Sequence, residues 1–206
     1  MAEISETIII DYGMGNLRSV EKALESVGGR SRISADPNTV RKAERLILPG
    51  VGAFGDAMEN LRRSGMDDAI REAANSGIPL LGLCLGLQLL FTHSEEFGSH
   101  QGLDLIPGNV RRFSGVDLRV PHIGWNQVED LQSNPLLANI ADGSYFYFVH
   151  SLYVEPENSR DILSRTEYGL RFCSIACRNK VWGAQFHPEK SQDNGKRLLK
   201  NFLTIH

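Results

Sequence analysis

Cysteine is scarce, and the three present, Cys84, Cys173 and Cys177, make no even framework for disulfides. Cys173 and Cys177 stand four apart with neither a second pair nor neighbouring histidines, so they assemble no zinc site and read as packing residues. An excess of one charge is also missing. With 22 Lys and Arg against 25 Asp and Glu, the formal net charge of −3 gives no electrostatic footprint for nucleic acid. The basic pairs Arg62-Arg63 and Arg111-Arg112 read as solvated faces. No apolar run approaches a membrane span, and residues 1–6 lack a basic region followed by an apolar core, so a cytoplasmic protein is expected. There is no Gly/Ser-rich linker, no shift of composition and no internal repeat. Residues 1–206, 41% hydrophobic, are therefore read as one domain with room for a substantial core.

One stretch stands out from this background, Ile-Pro-Leu-Leu-Gly-Leu-Cys-Leu-Gly-Leu-Gln-Leu-Leu-Phe from Ile78 to Phe91. An apolar run bounded by Pro79 reads as a buried strand, and the apolar residues after Gly86 continue as a helix. Cys84 then falls at a strand-to-helix turn. A lone cysteine in Leu-rich sequence is ordinarily a small buried hydrophobe. Gly82 and Gly86 reverse that reading, because small neighbours two residues to either side permit the sharp turn of a nucleophile elbow. At such a turn the thiol is presented, the helix N-terminus favours thiolate, and the Leu85 N–H is free to donate to an oxyanion.

Upstream, the chain alternates strand and helix. Thr7 to Ile10 is a short strand, followed by the loop Asp11-Tyr12-Gly13-Met14-Gly15-Asn16 and a helical pattern from Leu17 to Val27. The Gly-x-Gly of that loop fails as a dinucleotide fingerprint because Arg18 replaces its third glycine. Arg45 to Leu48 is a second apolar strand running into Pro49-Gly50-Val51-Gly52-Ala53-Phe54-Gly55, a loop able to aim N–H groups at a carbonyl oxygen. Helices are expected from about Asp56 and over Met66 to Asn75. Alternation of this kind implies a parallel sheet with helices on both faces. Ligands in such sheets sit beyond the carboxyl ends of the strands, where the 11–16 loop, the 49–55 loop and Cys84 would meet. After Ser94-Glu95-Glu96 the texture turns β-rich, with strands expected over Asn109 to Phe113, Ser144 to Val154, Asp161 to Thr166, Phe172 to Arg178 and Val181 to Phe186, and a helix over Asn194 to Ile205.

Three histidines in this half fall in suggestive places, His122, His150 and His187, and of these only His187 has a built-in partner. In Gln-Phe-His-Pro-Glu, Pro188 biases the chain toward extended geometry, in which residues 187 and 189 point the same way. Glu189 can then fix the imidazole tautomer and stabilise the imidazolium. Beside an elbow cysteine this makes Cys84, His187 and Glu189 a nucleophile, a base and an orienting acid.

Gly82 to Gln88 together with Gln185 to Glu189 resembles the signature of the class I (triad) glutamine amidotransferases. The Asp11 to Leu17, Pro49 to Phe54, Pro121-His122-Ile123-Gly124-Trp125-Asn126 and Tyr147 to Ser151 blocks resemble the branch of that class whose glutaminase works with a cyclase subunit in histidine biosynthesis. The resemblance covers residues 11–191. It implies an α/β fold, a doubly wound and mostly parallel sheet flanked by helices, with an additional β-rich second half. It implies hydrolysis of L-glutamine through a γ-glutamyl thioester on Cys84, and an oxyanion site at Leu85 and the Gly50, Val51 and Gly52 segment, whose peptide orientation changes on activation. Gln88, Glu96, Ser151 and Leu152 would lie near the glutamine. Asn16, His122, Trp125, Asn126 and Lys190 match positions facing the cyclase, which in a heterodimer joins the ammonia to a phosphorylated aminoimidazole carboxamide ribonucleotide. No cofactor and no metal is called for. A glutaminase serving a different synthase is the alternative; peptidases and stress chaperones with an elbow cysteine lack the His-Pro-Glu.

Overall fold

The computed structural model describes residues 6–114 and 118–205, so most of the stretch read for a leader, residues 1–5, lies outside it. The first half contains β1 (Glu6–Ile10), α1 (Leu17–Ser26), β2 (Arg30–Ser34), α2 (Pro37–Arg41), β3 (Arg45–Gly50), α3 (Phe54–Ser64), α4 (Met66–Asn75), β4 (Leu80–Cys84) and α5 (Leu85–Leu89). There follow β5 (Phe91–Ser94), β6 (His100–Gln101), β7 (Ile106–Arg112), β8 (His122–Val128), β9 (Ser144–His150), β10 (Leu152–Pro156), β11 (Ile162–Glu167), β12 (Arg171–Arg178), β13 (Val181–Ala184) and α6 (Gln192–Phe202).

An eleven-stranded sheet runs β2-β1-β3-β4-β13-β12-β10-β7-β5-β6, with β11 paired to β12. From β2 to β13 every pairing is parallel. From β13 through β12 and β10 to β7 it is antiparallel, and of these pairs β12 and β13 are joined by a short turn, which reverses the chain. The sheet is thus mixed and helix-flanked, its antiparallel part drawn from the β-rich half. Side chains alternate across the sheet. Ile8, Ile10, Leu46 and Leu48 pack with Val40, Met58, Leu61 and Ile70 on one face, while Ile9, Ile47 and Leu81 pack with Val20, Leu24, Leu198 and Phe202 on the other. Burial of each such Ile or Leu contributes roughly 1.5–3 kcal/mol. The period-2 run Ile8-Ile9-Ile10 therefore needs α1 and α6 on one side and α2 to α4 on the other.

Several expectations are corrected. The apolar run after Gly86 makes only the five-residue α5. Phe91 leaves it to pair with Ile106 of β7, and the strand pairing overrides the helical pattern. The strand expected over Ser144 to Val154 is two, interrupted at Ser151. α3 begins at Phe54, and Pro49 and Gly50 belong to β3 rather than to a loop. β2, α2, β5, β6 and β8 were not anticipated, whereas α4 spans the expected Met66–Asn75.

Candidate active site

β4 ends on Cys84, whose φ of 55° and ψ of −110° lie where residues with a side chain rarely sit. Two glycines make the turn possible. A Cβ on Gly82 would come 2.6 Å from the Gly86 carbonyl oxygen, and one on Gly86 would collide with the Leu48 carbonyl. The turn aims the thiol into a cavity of about 340 Å³. Cys84 is nonetheless only 7% exposed, so the sulfur is offered to the floor of a recessed pocket and not to the outer surface. A five-residue helix also carries little of the dipole expected of a longer one, although the first-turn N–H of Leu85 has no partner within the helix.

His187 follows β13, and its Nδ1 lies 2.8 Å from Glu189 Oε1, with the two side chains 6% and 3% exposed. The contact is the expected one but its cause differs. Pro188–Lys190 forms a 3₁₀ turn after an extended His187, so the chain folds back and brings the carboxylate to the ring. The turn is tied to β9: His187 N donates to Tyr147 O at 2.9 Å, and Ser191 Oγ accepts from Tyr147 N at 3.0 Å while donating to His187 O at 2.6 Å. His187 Nε2 and Glu189 Oε2 are buried without hydrogen-bond partners among the described residues. Burial pushes the His187 pKa down, but Cys84 and Glu189 outweigh it and raise it to about 10. The Cys84 thiol meanwhile lies 3.8 Å from Val149 O, and Gln185 Nε2 approaches the sulfur at 3.9 Å. So raised, His187 holds its proton at neutral pH, and as both it and Cys84 line the pocket it is placed to pass that proton to a substrate, since such hydrogen bonds often tighten only when substrate is bound.

Val51, Gly52, Leu85, Gln88, Glu96, Ser151 and Leu152 all line the cavity. Gly50 lies behind it, opposite Cys84 in the β3–β4 register, where a Cβ would come 2.7 Å from Tyr12 Oη. Tyr12, not singled out from the sequence, donates to Pro49 O at 3.0 Å, and burial followed by the charge of Cys84 pushes its phenol pKa well up. The 11–16 loop, the end of β3 and Cys84 thus meet as expected. Buried Gln88 donates through Nε2 to Leu152 O at 3.3 Å and to Gln185 Oε1 at 3.1 Å. Glu96 accepts from Phe54 N at 2.6 Å, supplying the N-terminus of α3 with the acceptor that Ala53 lacks.

The residues expected to face a partner divide. Asn16 and Lys190 are exposed, Lys190 with Nζ 5.8 Å from the Tyr147 ring centre, and Trp125 is 47% exposed. Asn126 is half-buried and donates to Glu167 O at 2.9 Å. His122 is corrected: it is 3% exposed, sandwiched between Phe148 and Tyr168, and offers no surface. A second cavity of about 400 Å³ opens among Glu6, Arg32, Asp36 and Lys42 and contains no cysteine or histidine. Among the described residues no cluster of three His, Cys, Asp or Glu is placed to hold a metal, and no helix is long and apolar enough to cross a membrane.

A family model for class-I glutamine amidotransferases matches residues 8–205, and the chain belongs to that family. The fold agrees: the chain is similar to a glutamine amidotransferase structure (TM-score 0.75, 18% identity, 96% of this chain and 99% of that one) and to the structure of PurLQS from Thermotoga maritima (0.77, 17%, 98% of each). Its sequence relatives narrow the branch to that of HisH. It is 51% identical over 201 residues to the imidazole glycerol phosphate synthase subunit HisH of Syntrophotalea carbinolica, covering 95% of this chain and 98% of that protein. To the subunit of the same name from Moorella thermoacetica it is 52% identical, covering 94% and 92%.

Proposed function

We propose that this chain is the glutaminase subunit of an imidazole glycerol phosphate synthase, working in the cytoplasm as one domain over residues 1–206 in a heterodimer with a HisF cyclase subunit. Cys84 Sγ attacks the side-chain carbonyl carbon of L-glutamine as His187 Nε2 holds the thiol proton. The tetrahedral oxyanion is held by the Leu85 N–H and by an N–H of the Gly50 to Gly52 segment. Collapse breaks the C–N bond, the His187 proton leaves with ammonia, and a γ-glutamyl thioester remains. Water then attacks the thioester with His187 as base, releasing glutamate and restoring the thiol. Glu189 orients His187 throughout. Gln88, Glu96, Ser151 and Leu152 form the glutamine site, and Asn16, Trp125, Asn126 and Lys190 face the cyclase. Ammonia passes to HisF, which makes imidazole glycerol phosphate and the carboxamide ribonucleotide AICAR. No cofactor enters the scheme.

The observation that carries this reading is the buried His187 ring, tied through Nδ1 to Glu189, with its other nitrogen lacking a partner among the described residues and lining one pocket with an elbow cysteine. The test is glutamate release measured with and without candidate synthase subunits. Stimulation by a HisF subunit alone supports the assignment; stimulation by another synthase, or no turnover with any, overturns it.

A further inference from the structure

His122 and His150 are paired residues across the β8–β9 ribbon, both almost fully buried, yet neither is needed by the chemistry above. Their partners fix both tautomers. The Leu152 carbonyl oxygen can only accept, so His150 Nδ1, 2.6 Å away, carries a proton. In a neutral ring Nε2 is then the acceptor, and it accepts from His122 Nδ1 at 3.0 Å. That leaves His122 Nε2 as an acceptor, and Asn126 Nδ2 stands 3.3 Å from it while also donating to Glu167 O. The Asn126 orientation is itself determined, since its Oδ1 accepts from Gln127 N at 2.8 Å. Burial keeps both rings neutral, holding His122 at about 4 and His150 at about 3.

The far end of this chain is the wall of the cavity. His150 bonds the carbonyl two residues ahead of it, which holds the break between β9 and β10 at Ser151. The same carbonyl accepts Gln88 Nε2, so one oxygen ties the ribbon, the Ser151–Leu152 wall and Gln88 together. The near end is a ribbon whose Ile123, Trp125 and Tyr145 are 60%, 47% and 52% exposed.

We propose that His122 and His150 are positioning residues of the glutamine site: Asn126 meets His122 Nε2, the His122 Nδ1–H supports the His150 ring from behind, and the His150 Nδ1–H holds the Leu152 carbonyl that shapes the pocket. The inference rests on the glutaminase reading for its kinetic consequence but not for the tautomers. His122→Phe keeps the aromatic stacking and removes the donor. His150 keeps its proton on Nδ1 for the Leu152 oxygen, but its Nε2 lone pair is then buried without its donor and the ring loses the contact that holds it against that carbonyl. His122→Asn does the opposite, restoring an N–H at the Nδ1 position while losing the stack. Losing one such hydrogen bond with its acceptor left buried is worth roughly fivefold to a hundredfold.

Long-range ¹⁵N–¹H spectra of the histidine-labelled chain at neutral pH read the tautomers directly, and glutamate release in the complex with the cyclase subunit gives KM and kcat. Expected are Nδ1–H for both rings, a KM for glutamine raised at least ~5-fold with a smaller change in kcat for His122→Phe, and a near wild-type KM for His122→Asn despite a lower Tm. A purely structural role gives the reverse ranking, with His122→Asn the worse enzyme, and overturns the proposal. So does an Nε2–H tautomer at His150. A wild type that never hydrolyses glutamine would sink the glutaminase reading, and the relay would then be judged on the tautomers alone.

Discussion

Glu189→Gln removes a negative charge and little else. The amide oxygen still reaches the His187 Nδ1–H, which now lies 2.8 Å from a carboxylate oxygen, and the volume is unchanged. What is lost is attraction to the imidazolium formed when His187 takes the thiol proton. With charge centres ~4 Å apart and an effective dielectric of about 20, that attraction is roughly 4 kcal/mol, or about 10³ in rate. Retained hydrogen bonding lowers this figure and burial of both groups raises it, so a loss of ~10²–10⁴ in turnover is expected. Glutamate release is compared for wild type and variant in the complex with the cyclase subunit and its nucleotide ligand. His187, whose pKa Glu189 helps to raise, should also titrate at lower pH in the variant. A variant indistinguishable from wild type in the activated complex would refute the triad and leave a Cys84–His187 dyad.

The remaining predictions concern other parts of the molecule. Cys84→Ala should abolish glutamine-dependent synthesis in the complex yet leave synthesis from added ammonium salts; normal glutamine turnover would refute the nucleophile, and loss of both would point to a folding or interface defect. His122 and His150 are neutral in the fold, at about 4 and about 3, but would titrate near 6.5 when unfolded. Between those values the unfolded chain binds more protons, so their contribution to stability is complete above pH 6.5 and lost as pH falls toward 4. Urea midpoints should therefore drop between pH 7 and pH 5, and His122→Phe should reduce that drop; equal midpoints would contradict the depressed values. The isolated chain should be a nearly silent glutaminase, stepwise activated by the cyclase and by its nucleotide. Gly52, at φ 102° with a prospective Cβ 2.6 Å from Met14 Cε, should lose that activation on replacement by Ala; equal rates for isolated chain, complex and nucleotide-bound complex would refute the switch.

What was legible in the sequence was local. The elbow is written in five consecutive residues, and the His187–Glu189 pair in three, so neither needed the fold to be seen. The parallel strands were legible because burial on both faces makes them continuous apolar runs. β2 was not, since Arg30-Ser31-Arg32-Ile33-Ser34 is an edge strand of mainly polar residues of which only Ser34 is fully buried. α5 was overextended because Leu89 to Phe91 are apolar in either state, and only the pairing of Phe91 with Ile106 decides between them. The break at Ser151 depends on a side chain bonding its own backbone, and the burial of His122 on aromatic rings from β9 and from Tyr168. Glu96 capping α3 joins residues 42 apart in sequence, a pairing no local pattern announces.

The central claim, a glutaminase acting through a covalent intermediate on a recessed cysteine, is tested most directly by rapid acid quench of the activated complex turning over glutamine, followed by peptide mass analysis. The account predicts the mass gain of a glutamyl group on the peptide containing Cys84, absent in Cys84→Ala and absent when glutamine is replaced by glutamate. Steady glutamate release with no such adduct, or an adduct on Cys173 or Cys177, would contradict it.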